Sequence, residues 1–310
     1  MTDQELLEQS INRLKLTGAI EYTGEFGAEI TTFIPFAFWL KQEGLLAGRR
    51  LVTYGGMRPY YYFLGDDEYQ EKTVARVWVA PSHRDWPTNS TYSATSRPWH
   101  VYPDYRSIYR GQGRLFSRPV LFVQNKFTLE FGKGPINYLS IRALKQLLER
   151  AADRFDVVYS RPRTLPKSAG YTTDENTHCD YPELDLVRSF GNVLVLEDYC
   201  ADEALAYNST KLEILAKSHL FVAVQGGGAH LLACFGRSVL LLLHYEGREY
   251  PHAYTSGPYK YLSTSPPVLL LAREHDQLLQ GVDVMCNLRA EGEAMMLEPQ
   301  YMPAFEAMRV

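Results

Sequence analysis

The stretch that most constrains the fold of this chain runs from Leu220 to His244 and reads LFVAVQGGGAHLLACFGRSVLLLLH. Its first residues, Leu220–Val224, have the length and composition of a buried strand. Three glycines follow, then helical spacing over Ala229–Phe235 and a second buried run, Ser238–Leu243. This pattern predicts a strand–turn–helix–strand unit. Its parallel connection is right-handed, and its ligand crevice lies at the carboxyl ends of the strands.

The glycines Gly226, Gly227 and Gly228 are expected in that crevice, where a ligand can approach bare backbone. His230 stands beside them near a helix N-terminus, which favours an anion. The spacing fits neither a GxGxxG dinucleotide fingerprint nor a P-loop. Tight helix–sheet packing is the structural alternative for glycines in such a turn. Gly236 is expected to end the helix with a positive φ. The unit predicts a phosphate or sugar-nucleotide site.

Length and charge narrow the classes of protein. A chain of 310 residues allows two domains or one large one, and a net charge of −4 argues against a general nucleic-acid binder. No window reaches the roughly 18 apolar residues of a membrane span, and the acidic, amphipathic N-terminus does not have the pattern of a secretory signal. The four cysteines lack CxxC spacing. They predict reduced thiols in a cytoplasmic protein.

The first half of the chain predicts a β–α–β unit with a glycine turn at the carboxyl end of its first strand. Pro35 falls inside the predicted helix, where it favours a kink or a late start. In chain order the elements are helix 4–16, strand Gly18–Tyr22, turn Gly24–Gly27, helix Ala28–Glu43 ended by Gly44, and strand Arg49–Tyr54.

Periodicity fades after Arg58. A strand is predicted at Val74–Val79, and the aromatic-rich stretch Pro81–Arg114 reads as long loops that either cover a cleft or join two domains.

Strands and helices alternate again from Pro119, which predicts a doubly wound parallel sheet. The strands are Val120–Val123, Val157–Tyr159, Val193–Leu196, Leu220–Val224, Ser238–Leu243 and Val268–Leu271, and helices include Ile141–Ala152, Lys211–Ala216 and Asp276–Cys286. The predicted domains are therefore 1–117 and 118–287, with a final segment, 288–310, packing back on the first domain.

Two α/β halves whose glycine turns face a cleft resemble GT-B glycosyltransferases. The specific likeness lies in Ser218–Gly236, where a strand and a small-residue turn precede the helix pattern H-L-x-A-x-x-G. The resemblance implies two Rossmann-like domains. The C-terminal domain would hold a nucleotide-sugar donor, and the N-terminal domain of 1–117 would hold a saccharide or glycan acceptor. The short, irregular first domain after Arg58 departs from many such enzymes.

The predicted donor site collects groups that stabilise a leaving phosphate. Asn125 and Lys126 follow the first strand of the second domain, and Arg161 follows the next. They would join the glycine turn and His230. Glu197 and Glu246 are candidates for hydroxyl contacts, although the pair Glu197-Asp198 is equally suited to capping a helix. Each of these residues also has an ordinary explanation as a polar side chain just beyond a strand.

An attacking acceptor hydroxyl needs a general base. Glu25 lies in the first glycine turn and is the first candidate, ahead of Asp67 and His100. A Glu near a helix N-terminus is also favourable without any chemistry. A retaining enzyme would need no such base.

No metal site is predicted, because the sequence has no HExxH, His-x-His or DxD pattern. No cofactor is expected beyond the nucleotide-sugar co-substrate. The first hypothesis is a metal-independent glycosyltransferase of polysaccharide biosynthesis, and peripheral membrane association stays open. A sugar-nucleotide epimerase or hydrolase, and a non-catalytic carbohydrate-binding protein, are the alternatives.

Overall fold

The structure, a computed structural model, describes residues 3–74, 76, 98–129, 134–161, 179–244, 258–291, 294–297 and 299–310. The described part is an α/β protein with two separate parallel sheets, one of three strands and one of six, and a two-stranded antiparallel ribbon. Residues 75 and 77–79 of the predicted strand Val74–Val79 lie outside the described residues, as does half of the predicted loop region Pro81–Arg114.

The first domain is a three-stranded parallel sheet in the order β1-β2-β3. The predicted β–α–β unit is confirmed. The short strand β3 was missed because its sequence, YQEK, has no apolar run. The elements are α1 (Asp3–Thr17), β1 (Ala19–Glu21), α2 (Phe26–Ala28), a π-helical segment (Glu29–Phe33), α3 (Ile34–Gln42), β2 (Arg50–Tyr54), β3 (Tyr69–Lys72) and α4 (Tyr105–Tyr109).

The predicted irregularity at Pro35 takes the form of the π-helical segment. This segment ends one residue before α3, in which Pro35 occupies the first turn. Proline has no backbone N–H and is tolerated in a first helical turn, so the regular α-helix begins only here. Such π-segments are frequent at functional sites.

The second domain is a six-stranded parallel sheet in the order β6-β5-β4-β7-β8-β9. This confirms the predicted doubly wound sheet. The chain builds outward from β4 in one direction, then returns to its other side at β7. The elements are β4 (Val120–Gln124), α5 (Ile141–Ala151), β5 (Asp156–Ser160), α6 (Leu184–Arg188), β6 (Val193–Val195), α7 (Leu196–Asp202), α8 (Tyr207–Lys217), β7 (Leu220–Val224), α9 (Gly227–Ala233), β8 (Val239–Leu243), β9 (Val268–Ala272) and α10 (His275–Cys286).

Strand alternation sends side chains into two apolar clusters, one on each face of this sheet. Leu121 and Val123 belong to the cluster under α5 and α10. Phe122 belongs to the opposite cluster, which continues through α8 and α9 into the core of the first domain. The two domains are thus joined by one continuous apolar core.

The C-terminal segment packs on the second domain, not on the first as expected. Arg309 forms an antiparallel bridge with Leu270, and the Val310 N–H donates to the Leu269 carbonyl at 3.1 Å. Met308 is buried among the apolar residues around β9 and α10. The reason is that β9 is an edge strand whose free side can accept this pairing. The segment consists of β10 (Leu288–Glu291), β11 (Ala294–Leu297) and α11 (Met302–Met308).

Two further observations bear on the class of protein. No helix among the described residues combines the length and apolar character needed to cross a bilayer. All four cysteines are free thiols.

Candidate functional site

The order of strands in the second sheet reverses between β4 and β7. Ligands of open α/β sheets bind beside the carboxyl ends of the strands at such a switch point. Here Lys126 follows β4 and Gly226 follows β7. A Cβ atom placed on Gly226 would lie 3.1 Å from Lys126 Nζ. The fold therefore brings together two features that are a hundred residues apart in the sequence.

At each of the three positions of the turn, a different structural feature favours glycine. Gly226 has a φ of +142°, which side-chain-bearing residues rarely adopt. A Cβ on Gly227 would lie 3.1 Å from the backbone nitrogen of Gly27 in the first domain, and one on Gly228 would lie 2.8 Å from Gln124 Cγ. The packing alternative therefore accounts for part of the motif. All three glycines nevertheless remain partly exposed.

His230 lies where the two domains meet. A Cβ on Gly27 would be 3.4 Å from His230 Cδ2, and the imidazole packs edge-on against Tyr259 with ring centroids 5.7 Å apart. Burial, and secondly the charge of Lys126, lowers the pKa of His230 to about 4. The imidazole is therefore neutral at neutral pH, and Lys126 supplies the positive charge beside the turn.

Asn125 is engaged within the protein. Its Oδ1 accepts from the backbone N–H groups of Lys126 and Leu139, each at 2.9 Å, and its Nδ2 donates to the Tyr159 hydroxyl at 3.1 Å. The Asn125 side chain thus connects Lys126, just after β4, to Leu139, shortly before α5. Its predicted contact with a donor remains a prediction, and its observed contacts shape the loop that carries Lys126.

Arg161 is paired with a buried carboxylate that sequence analysis missed. Its Nε donates to Glu183 Oε1 at 2.5 Å, and the Tyr159 hydroxyl donates to the same oxygen at 3.1 Å. Glu183 is fully buried. It follows a polar stretch of sequence, and nothing in that pattern marks it. Glu183 and Arg161 form an ion pair, and the predicted contact of Arg161 with a donor remains a prediction.

Glu197 is turned into the protein. Its Oε1 accepts from the Ser160 hydroxyl at 2.8 Å and from the Tyr207 hydroxyl at 3.2 Å. The predicted strand was one residue too long: β6 ends at Val195, and Glu197 lies in the first turn of α7. Capping was also expected here, but neither acidic side chain occupies the cap position, which is Val195. Glu246 lies outside the described residues.

The turn Gly24–Gly27 carries Glu25, the predicted base. Its backbone carbonyl accepts from the Tyr22 hydroxyl at 2.5 Å, and the side chain is partly exposed without capping α2. Because Gly27 packs on Gly227, Glu25 lies two residues from the contact between the domains. Of the lesser candidates, Asp67 is exposed, and His100 stacks on Tyr261 with ring centroids 5.2 Å apart.

The first domain also holds a buried ion pair that sequence analysis missed. Glu29 Oε2 lies 2.6 Å from an amino nitrogen of Arg76, and both side chains are fully buried. The Tyr61 and Thr53 hydroxyls donate to Glu29 Oε1. The guanidinium lies 4.2 Å from the centroid of the Tyr54 ring. The sequence feature that could have indicated this buried carboxylate is the lone acidic residue in the apolar run AEITTFIPF.

No protein-family model matches the sequence, and no curated protein matches it significantly. In its fold the chain is similar to a glycosyl transferase family 9 protein from Veillonella parvula DSM 2008, with 11% identity and a TM-score of 0.47 over 94% of this chain and 96% of that one. It is also similar to the wall teichoic acid polymerase TagF, with 9% identity and a TM-score of 0.34 over 88% of this chain. The chain spans 55% of that TagF chain. A likeness of this degree does not show the function, which is argued below from the residues of this chain.

Proposed function

We propose that this chain is a glycosyltransferase that moves a sugar from a nucleotide-sugar donor to a hydroxyl of a saccharide or glycan acceptor. The observation that carries the proposal is the position of Lys126 beside the Gly226–Gly228 turn at the switch point of the six-stranded sheet. The turn faces Gly24–Gly27 of the other domain. A donor bound at the Gly226–Gly228 turn would present its sugar toward the first domain, which carries Gly24–Gly27.

The chemistry follows from the groups at this junction. When the sugar is transferred, the nucleotide departs as a nucleoside monophosphate or diphosphate, so negative charge develops on phosphate oxygens as the bond to the sugar breaks. Fixed donors aimed at those oxygens lower the barrier. In our proposal the main-chain amides of the glycine turn and the ammonium of Lys126 have this role without a bound metal. The neutral His230 adds no charge and can donate or accept one hydrogen bond.

Glu25 is the proposed general base for the acceptor hydroxyl. It belongs to the domain opposite the donor turn, the side from which an acceptor would approach the donor. Asn125, Arg161 and Glu197 act indirectly in this proposal, because their observed hydrogen bonds hold residues just beyond the carboxyl ends of β4, β5 and β6. The free cysteines support a cytoplasmic protein, where thiols stay reduced.

Calorimetry with UDP, ADP, GDP, CDP and CMP tests the donor site. We expect one nucleotide to bind with a micromolar dissociation constant, and binding should weaken in Lys126→Gln. Failure of every nucleotide to bind the folded wild-type chain would overturn the proposal.

A second measurement separates the enzyme classes. With the matching nucleotide-sugar, a transferase releases nucleotide only when an acceptor saccharide is added. Release of nucleotide and free sugar without acceptor identifies a hydrolase, and interconversion of the sugar identifies an epimerase. Saccharide binding without any nucleotide binding identifies a carbohydrate-binding protein.

A further inference from the structure

A lysine is buried directly behind the candidate donor site. Lys211 lies in α8 with only 4% of its surface exposed. Its Nζ donates a 2.9 Å hydrogen bond to Oε1 of Gln124. Gln124 is the last residue of β4 and therefore stands at the switch point. No feature of the sequence distinguished Lys211 from an ordinary helical lysine.

The side chain of Gln124 packs against the glycine turn. Its Nε2 donates to the carbonyl oxygens of Asn125 at 3.1 Å and Ser160 at 3.2 Å. Its Cγ lies so close to Gly228 that a Cβ there would be 2.8 Å away. With both ends of the amide bonded, the side chain cannot move without releasing either Lys211 or the strand ends. The turn therefore rests on a side chain whose orientation Lys211 fixes.

The helix that carries Lys211 is itself fixed to the first domain. One turn earlier, Asn208 Nδ2 donates to the Gly56 carbonyl at 2.7 Å, and the Tyr60 hydroxyl donates to Asn208 Oδ1 at 3.2 Å. These bonds hold the backbone of α8, and with it that of Lys211, against the first domain.

The burial of Lys211 is unfavourable by itself. Burial lowers its pKa to about 8, while Glu197 and then Cys200, both on α7, act in the opposite direction. The other groups facing it are the Tyr207 ring, 5.5 Å away on the same helix, and the uncharged Gln124 on β4. A charged group that is costly to bury and adjoins a ligand crevice is a candidate for a role in that site.

We propose that Lys211 is a positioning residue for the donor site, whose ammonium holds Gln124 against Gly228 and so fixes the main chain that the Gly226–Gly228 turn presents to a nucleoside diphosphate. This inference rests on the proposed function. It assigns Lys211 no contact with the nucleotide, since its effect passes through Gln124.

A double-mutant cycle tests that route. The variants are Lys211→Met, Gln124→Leu and the double variant. The charge-matched control is Lys145→Met, which replaces an exposed lysine on α5. The readout is calorimetric affinity for the nucleoside diphosphate that binds the wild type. We expect each single variant to weaken binding about 10-fold, the double variant to be no weaker than Lys211→Met, and the control to match the wild type. Additive losses, or unchanged affinity in Lys211→Met, would overturn the inference.

The pH dependence provides a second test that does not need Lys211→Met to fold. Between pH 7.5 and 9 the phosphates stay ionised, while Lys211 loses its proton. Wild-type affinity should fall several-fold over this range, and that of Gln124→Leu should stay level. A level wild-type profile would overturn the inference and leave the proposed function intact. A wild-type chain that binds no nucleotide at any pH would overturn both.

Discussion

Gly27 and Gly227 belong to different domains, yet their backbones touch. A Cβ on Gly27 would lie 3.2 Å from Gly227 Cα, and a Cβ on Gly227 would lie 3.1 Å from Gly27 N. Two glycines therefore make possible the approach of two turns, one carrying the predicted base and the other the predicted donor site. The relative position of the two halves of the site depends on this contact.

Gly227→Val should push the two turns apart. Overpacking of this kind costs about 1–3 kcal/mol, so we expect a lower free energy of unfolding together with weaker nucleotide binding. Urea unfolding and calorimetry measure the two effects. Gly191→Val is the matched control, because a Cβ there meets no atom within 4 Å. Unchanged stability in Gly227→Val would contradict the close contact.

Glu25→Gln should lower turnover about 100-fold or more, with donor affinity within twofold of wild type, because general-base catalysis contributes at least that factor. Steady-state rates with donor and acceptor, and calorimetry with nucleotide alone, separate the two. Glu43→Gln changes an exposed carboxylate at the end of α3 and should have wild-type rates. Normal turnover in Glu25→Gln would exclude Glu25 as the base.

Lys126→Gln should weaken the binding of a nucleoside diphosphate about 10- to 100-fold, the range expected for losing a charged hydrogen bond. The salt dependence of binding should also become shallower. An independent readout is the His230 pKa, which Lys126 holds down as the second cause after burial. NMR titration should show this pKa rising above about 4 in the variant, and no rise would place Lys126 further from the turn than the structure does.

Arg106→Leu should destabilise the packing of the domains. The guanidinium donates to the carbonyls of Ala216 at 2.7 Å, Gly236 at 3.1 Å and Phe235 at 3.2 Å, at the ends of α8 and α9. Leaving these partly buried carbonyls without a donor should cost about 3 kcal/mol in urea unfolding. Arg110→Leu, an exposed arginine just after α4, should cost far less. Equal losses would contradict this role.

Stability should fall on acidification through the titration of His230. Its folded-state pKa of about 4 lies below the unfolded value of about 6.5, so the unfolded chain binds the proton first between these values. Stability therefore rises with pH across this window, by up to about 3 kcal/mol from this group. In urea unfolding, the wild type should therefore lose more stability between pH 7.5 and pH 4.5 than His230→Gln, which lacks this titrating group. A difference independent of pH would contradict the prediction.

Most of the secondary structure could be predicted because it follows local patterns. Runs such as Leu220–Val224 are apolar throughout, since both faces of a parallel sheet are covered. The missed elements lack that signal. β3 is polar at the edge of a sheet, and α7 begins directly where β6 ends.

The sequence by itself determined the parallel sheets and the glycine turn at a strand's carboxyl end, because hydrophobic period and glycine placement are local properties. It placed the positive φ at Gly236, whereas the structure places it at Arg237 and requires Gly236 for its close approach to Ser265. Only the tertiary structure decided which polar residues are paired. Arg161 pairs with Glu183. Glu197 accepts hydrogen bonds from Ser160 and Tyr207, and Gln124 accepts one from Lys211. These partners are 10 to 87 residues apart, so only folding brings their charges and hydrogen-bonding groups within reach of each other.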